Sequence, residues 1–138
     1  LYDVASPFVL LTEIELGLRE IISRVMTSAE ISEFAVEMNK DAEKRGKTLA
    51  GNLSDMTLSD YIHLITYDPC YKSKFKSIFG LKNRFKLRFN RVRLLRNDVF
   101  HFRKLDLEVS ELNDLIETRD FVFNHIKIAV NTADQVAH

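Results

Sequence analysis

The sequence predicts an all-α fold: a compact antiparallel helical bundle of about four to five main helices with shorter helical pieces between them. Three observations carry this. Apolar residues recur mostly at three- and four-residue steps, the period of an amphipathic helix. Helix breakers are scarce, with four glycines and two prolines in 138 residues. The one stretch of strict alternation, Arg84-Phe85-Lys86-Leu87-Arg88-Phe89-Asn90, reads as a half-buried strand but has no second strand to pair with. Beyond it Phe85, Phe89, Val92, Leu95, Val99 and Phe102 continue at helical spacing, so helix is the preferred reading.

The first helix opens with Ser6 as N-cap and Pro7 at the first helical position, where a missing N–H costs nothing. Its core face is Leu10 or Leu11, Ile14, Leu18, Ile21 or Ile22, and Val25, and it should stop near Thr27. A second helix follows Ser28, with Ile31, Phe34, Ala35, Met38 and Ala42 on one side. Acid near its start and Lys44, Arg45 and Lys47 near its end suit the helix dipole. The turn-rich segment 46–56 reads as a loop. Thr57 and Asp60 form a capping-box pattern ahead of a short helix bearing Leu58, Tyr61, Ile62 and Ile65, which Asp68-Pro69 breaks. A further short piece, Lys72 to Phe79, ends at Gly80. The long basic helix then runs from about Asn83 to His101, and the last from about Leu107 to Asn131.

At 138 residues and 16.0 kDa the chain fits a single domain spanning 1–138. With 46% hydrophobic and 29% charged residues it has the balance of a soluble globular protein that buries a core. No apolar run approaches the roughly 20 residues of a membrane span, and no signal-peptide pattern opens the chain, so no membrane partner is expected. Cys70 is the single cysteine, which excludes an internal disulfide and fits a reducing, cytoplasmic setting. Because the first residue is Leu1 rather than Met, the chain is expected to be a segment of a longer protein.

The net charge of zero conceals a strong asymmetry. From Lys72 to Lys104 there are twelve basic residues against one acid, Asp98, a charge of +11, while the remainder carries −11. One reading is a basic band, interleaved with Phe75, Phe79, Phe85 and Phe89, that neutralises phosphates and releases their counterions. The other is a solvated helix face paired with acidic neighbours.

Within the basic helix, Arg96-Asn97-Asp98-Val99-Phe100-His101 is the segment with chemistry. With Arg93 set at 0° and about 100° per residue, Arg96 falls near 300°, Asn97 near 40°, Phe100 near 340° and His101 near 80°. Leu95, Val99, Val92 and Phe102 gather between about 180° and 260° as the apolar face. Arg93, Asn97 and His101 therefore share a stripe, whereas Arg96 lies about 140° from His101. To meet on one phosphate, either the helix loosens before His101, long side chains converge, or a second subunit supplies half of the site. Arg plus His suffices chemically for cleaving RNA without a metal: a neutral imidazole takes the ribose 2′-hydroxyl proton, and guanidinium stabilises the phosphorane charge. Asn97 would orient either group by hydrogen bonding.

This segment resembles the Arg-x4-6-His signature of the HEPN superfamily, carried here by Arg96, the polar Asn97 after it, and His101. The wider pattern is similar too, with Glu13, Glu15, Leu18, Arg19 and Ile22 on an early helix, then Thr57-Leu58-Ser59-Asp60-Tyr61, then Arg93 leading into the motif on a penultimate long helix. The resemblance implies a metal-independent endoribonuclease leaving 2′,3′-cyclic phosphate and 5′-hydroxyl ends, with no cofactor and with the motif facing its copy across a homodimer. It assigns Arg96 to the scissile phosphate, His101 to acid or base work, and Asn97 to positioning. Toxin, antiviral or RNA-processing roles, an antitoxin and fused regulatory domains belong to the same expectation, as does the alternative of a noncatalytic RNA-binding or dimerisation module. Arg93, Arg88, Lys86, Arg103 and Lys104 are the candidate RNA-binding residues.

Other candidates carry less. His63, His125 and His138 show no zinc-site spacing and read as ordinary helix or terminal histidines. Cys70, near Lys72, is a reactive thiol or a small packing residue, and packing is preferred. Tyr61, Tyr67 and Tyr71 read as core rather than as base-stacking platforms.

Overall fold

The structure is a computed structural model that describes residues 6–42, 48–101 and 106–137, with side chains apart from those at 41, 42 and 130–137. All regular elements among the described residues are helical, including the alternating stretch 84–90. Helix α1 (Pro7–Val25) is capped as expected, the Ser6 hydroxyl accepting the Phe8 N–H at 3.1 Å. Helix α2 (Ser28–Ala42) is capped by Thr27: its hydroxyl accepts the Glu30 N–H, and the Glu30 carboxylate accepts the Thr27 N–H. After a 3-10 turn at Leu53–Asp55, the Thr57–Asp60 capping box starts α3 (Leu58–Thr66).

The chain breaks at Tyr67, and Pro69 lies in the first turn of the next helical piece, where its ring is tolerated. That piece therefore starts earlier than Lys72, as α4 (Asp68–Cys70), a π-helical turn Tyr71–Phe75, and α5 (Lys76–Phe79). Gly80 ends it with φ +78°, a conformation that favours glycine, and the Tyr71 hydroxyl donates to its carbonyl at 2.7 Å. Helix α6 (Lys82–Phe100) and helix α7 (Val109–Ala137) complete the fold. Glu108 rather than Leu107 borders α7, because its N–H is taken by the Glu111 carboxylate at 3.0 Å.

The core forms around α1, whose Leu10, Leu11, Ile14, Leu18, Ile21 and Ile22 are buried against α3, α6 and α7. Gly17 allows α1 and α7 to meet closely, since a β-carbon there would overlap Cγ1 of Val122. Tyr61 and Tyr71 are buried, and Tyr67 packs edge-on against Phe34 at 6.1 Å between centroids. The end of α6 returns to the start of α1, where Phe100 meets Phe8 edge-on at 5.3 Å. No helix among the described residues is long and apolar enough to cross a membrane.

Candidate nucleic-acid interface on helix α6

Helix α6 is fixed by one stripe. Phe85, Phe89, Val92, Leu95 and Val99 are buried, and rings on neighbouring elements lock the first two: Phe85 lies 4.7 Å from Phe79 and 4.3 Å from Phe89, and Phe89 lies 6.1 Å from Phe121. Aromatic pairs of this kind add to area burial, so the register of α6 is well determined. Phe75, Phe79, Phe85 and Phe89 are thus foundation, not base-stacking surface. The basic side chains follow from that register, because every residue off the apolar stripe is turned toward the rim or the solvent.

The acidic remainder of the chain neutralises part of the basic stretch. Lys74 pairs with Glu30 at 2.5 Å, and Lys82 pairs with Asp68. Both carboxylates are held below their ordinary range, each chiefly by the hydrogen bond from its lysine. Between α6 and α7 a groove of about 430 Å³ places Arg84, Arg88 and Arg91 beside Asp114, Glu117 and Thr118, over Phe79, Phe85 and Phe121. Arg88 lies over the Phe121 ring at 4.8 Å and reaches the buried Thr118 hydroxyl at 3.5 Å. It is therefore tied to α7, while Arg84, Lys86 and Arg91 stay exposed. Sequence reasoning did not single out Arg84 or Arg91; their i, i+7 spacing was the available signal.

The Arg96–His101 segment lies on the other side of α6 from this groove. The helix stays regular through Phe100, and His101 is its C-cap, with φ −96°, ψ 10° and its N–H donated to the Asn97 carbonyl at 3.0 Å. The helix therefore does not loosen before the histidine. Arg96 is half-buried, its guanidinium 4.8 Å from the centroid of the Phe100 ring, which in turn is braced by Phe8. His101 is exposed, Asn97 and Arg93 are half-buried, and Arg103 and Lys104 lie outside the described residues. Within one chain Arg96 thus lies over Phe100 while His101 stands exposed at the cap, the two positions about 140° apart on an ideal helix. Nothing in the sequence linked Phe8 to this arrangement, since that contact closes across about ninety residues between α1 and α6.

The remaining candidates resolve simply. Cys70 is fully buried with its Sγ 3.8 Å from Met26 Sδ, and burial pushes its thiol up to about 12, so it packs rather than reacts. His125 is held to its own helix, Nδ1 lying 2.6 Å from the Phe121 carbonyl. Among the described residues no group of three or more His, Cys, Asp or Glu is placed to hold a metal ion. Comparisons with family models, with curated proteins and with solved structures return no match for this chain.

Proposed function

We propose that the chain is an RNA-cleaving helical domain whose Arg96 and His101 act on one phosphodiester across a homodimer, as the HEPN-like motif implies. The observation that carries the reading is the split presentation of the two groups on a regular helix end: Arg96 over Phe100 on one side, His101 exposed at the cap on the other. An isologous contact pairs residue i of one copy with residue j of the other, and j with i. If two α6 ends cross antiparallel about Asp98–Val99, with Asn97 and Phe100 on the shared face, Arg96 of each copy stands opposite the partner's His101. The helix from Arg84 to Arg91 then extends beyond the overlap in opposite directions, which keeps like charges apart.

In that arrangement the neutral imidazole takes the proton from a ribose 2′-hydroxyl, and the freed oxygen attacks the adjacent phosphorus. The guanidinium stabilises the charge on the pentacoordinate phosphorus, and the bond to the 5′-oxygen breaks with return of a proton. The products are a 2′,3′-cyclic phosphate and a 5′-hydroxyl. Exposed Lys86 and half-buried Arg93 would track the flanking phosphates.

The experiment is incubation with labelled RNA in excess chelator, comparing wild type with Arg96→Ala and His101→Ala. Cutting that survives chelation and is lost in both folded variants supports the reading; cutting that persists in His101→Ala contradicts it. A second reading, a noncatalytic RNA-binding module, is favoured by the packing of the Arg96 guanidinium on the Phe100 ring. Salt-sensitive RNA binding without any cutting would select it.

A further inference from the structure

The solvent face of α6 is not uniformly polar. Leu87 and Leu94 stand 61% and 58% exposed, seven residues apart, which sets them about 10.5 Å apart along the axis. Asn83, Asn90 and Asn97 alternate with them at steps of four and three, and on an ideal helix all five fall within an arc of about 80°. Cations border this stripe on both sides, Lys86 and Arg93 along one flank and Arg84 and Arg91 along the other, where Asp98 follows in the same row and Asp114 and Glu117 of α7 face the two arginines across the groove. This is the layout of a helix built to pair with another: leucine at one seam position, asparagine at the other, charge on the flanks. An isolated exposed leucine needs no explanation, but two in heptad register between two rows of cations form a seam.

We propose that this seam docks an acidic amphipathic helix of a partner protein, one carrying leucine-sized residues a heptad apart between rows of glutamate or aspartate. Charge decides among the occupants. A second copy of α6 laid along the seam would set cations against cations on both flanks, whichever way it ran. RNA would satisfy the cations but has no use for two aliphatic side chains, since bases are held by aromatic or guanidinium planes and by hydrogen bonds. An acidic helix satisfies both, covering the leucines and pairing with Arg84, Lys86, Arg91 and Arg93. The asparagines then fix its register, because a buried amide must find a polar partner. The inference does not rest on cleavage: Leu87 and Leu94 precede Arg96, and Asn97 alone of the five also belongs to the crossing described above, so the docked helix is held by Asn83, Leu87, Asn90 and Leu94.

The test uses a fluorescein-labelled synthetic helix with leucine at every seventh position, asparagine at the other seam position and glutamate on both flanks, whose own charge keeps it from pairing with itself. Its binding to the full chain is read by anisotropy beside a control peptide with serine for leucine and a single-stranded RNA of similar length. Leu87→Ser/Leu94→Ser should weaken the leucine peptide by about tenfold or more, the loss expected for two apolar contacts, and leave RNA affinity unchanged within about twofold. Arg84→Glu/Arg91→Glu should weaken it by about tenfold as well. Both leucines are exposed, so circular dichroism and the urea midpoint of the serine variant should match wild type. Equal binding of the two peptides, or no binding of either, would overturn the proposal. So would a serine variant that loses RNA affinity, or one that turns a sedimenting dimer into a monomer, since these outcomes assign the seam to RNA or to a second copy.

Discussion

Replacing Gly17 with alanine sets two effects of opposite sign against each other. In a solvated helix interior, Gly→Ala stabilises by about 1 kcal/mol, because glycine loses the most backbone freedom on folding. Here the added β-carbon would overlap Cγ1 of Val122, with Val122 Cβ at 3.6 Å and a Phe123 ring carbon at 3.7 Å in ordinary contact. Val122 is fully buried, so its methyl cannot give way into solvent. Overpacking of this kind costs about 1–3 kcal/mol, so the net effect is a destabilisation of up to about 2 kcal/mol. The assay is urea unfolding of a double-mutant cycle with Val122→Ala. Trimming Val122 alone leaves a cavity and costs about 2 kcal/mol, but it removes the obstructing methyl. Gly17→Ala on that background should then stabilise, giving a coupling of about 1–3 kcal/mol between the two sites. A stabilising Gly17→Ala in the wild-type background, with no coupling to Val122, would refute the close approach of α1 and α7.

Three further outcomes follow from the same structure. RNA affinity should fall with salt, and Lys86→Ala or Arg93→Ala should each reduce the slope of log affinity against log salt by about 0.7, the counterion release of one single-strand phosphate contact; Arg119→Ala, whose partners are Glu13 and Asp120, should leave it unchanged. Glu30 is held below its ordinary 4.5 by Lys74 and then Thr27, so its contribution is present above that value and is lost as pH falls through the lower folded one. The urea midpoint of Lys74→Met should therefore fall less steeply than that of wild type on the acid side of this value. Cys70 should resist an aromatic disulfide reagent at pH 8 in the native protein and react promptly in guanidinium, since its thiol is pushed up to about 12.

What could be read from the sequence was what neighbouring residues settle among themselves. The Ser6 cap, the Thr57–Asp60 box and the Gly80 stop are each closed within a few residues, so composition and spacing revealed them. The alternation at 84–90 is a strand signal only locally, and the continuing stripe from Phe85 to Val99 chose the helix, as the structure has it. Contacts between distant segments were not legible: the Gly17–Val122 approach, the Phe8–Phe100 pair and the hold of Arg88 on Phe121 and Thr118 arise only when α1, α6 and α7 pack. The candidate site divides the same way. The helical spacing already set Arg96 and His101 at different angles, and the helix stays regular through Phe100, while the ring that holds Arg96 became visible only in the packed structure. The seam of Leu87 and Leu94 was hidden because Leu87 also fits the alternating pattern, and burial was needed to tell lining from surface.

The proposal that two chains share one site is tested most directly by mixing two inactive variants. Arg96→Ala and His101→Ala chains, each folded and each inert alone, are combined, allowed to exchange subunits, and assayed on labelled RNA under chelation. A shared site leaves each mixed dimer with one centre that retains both groups, so random exchange should restore about a quarter of wild-type activity. A mixture that stays inert although exchange is verified would contradict the account.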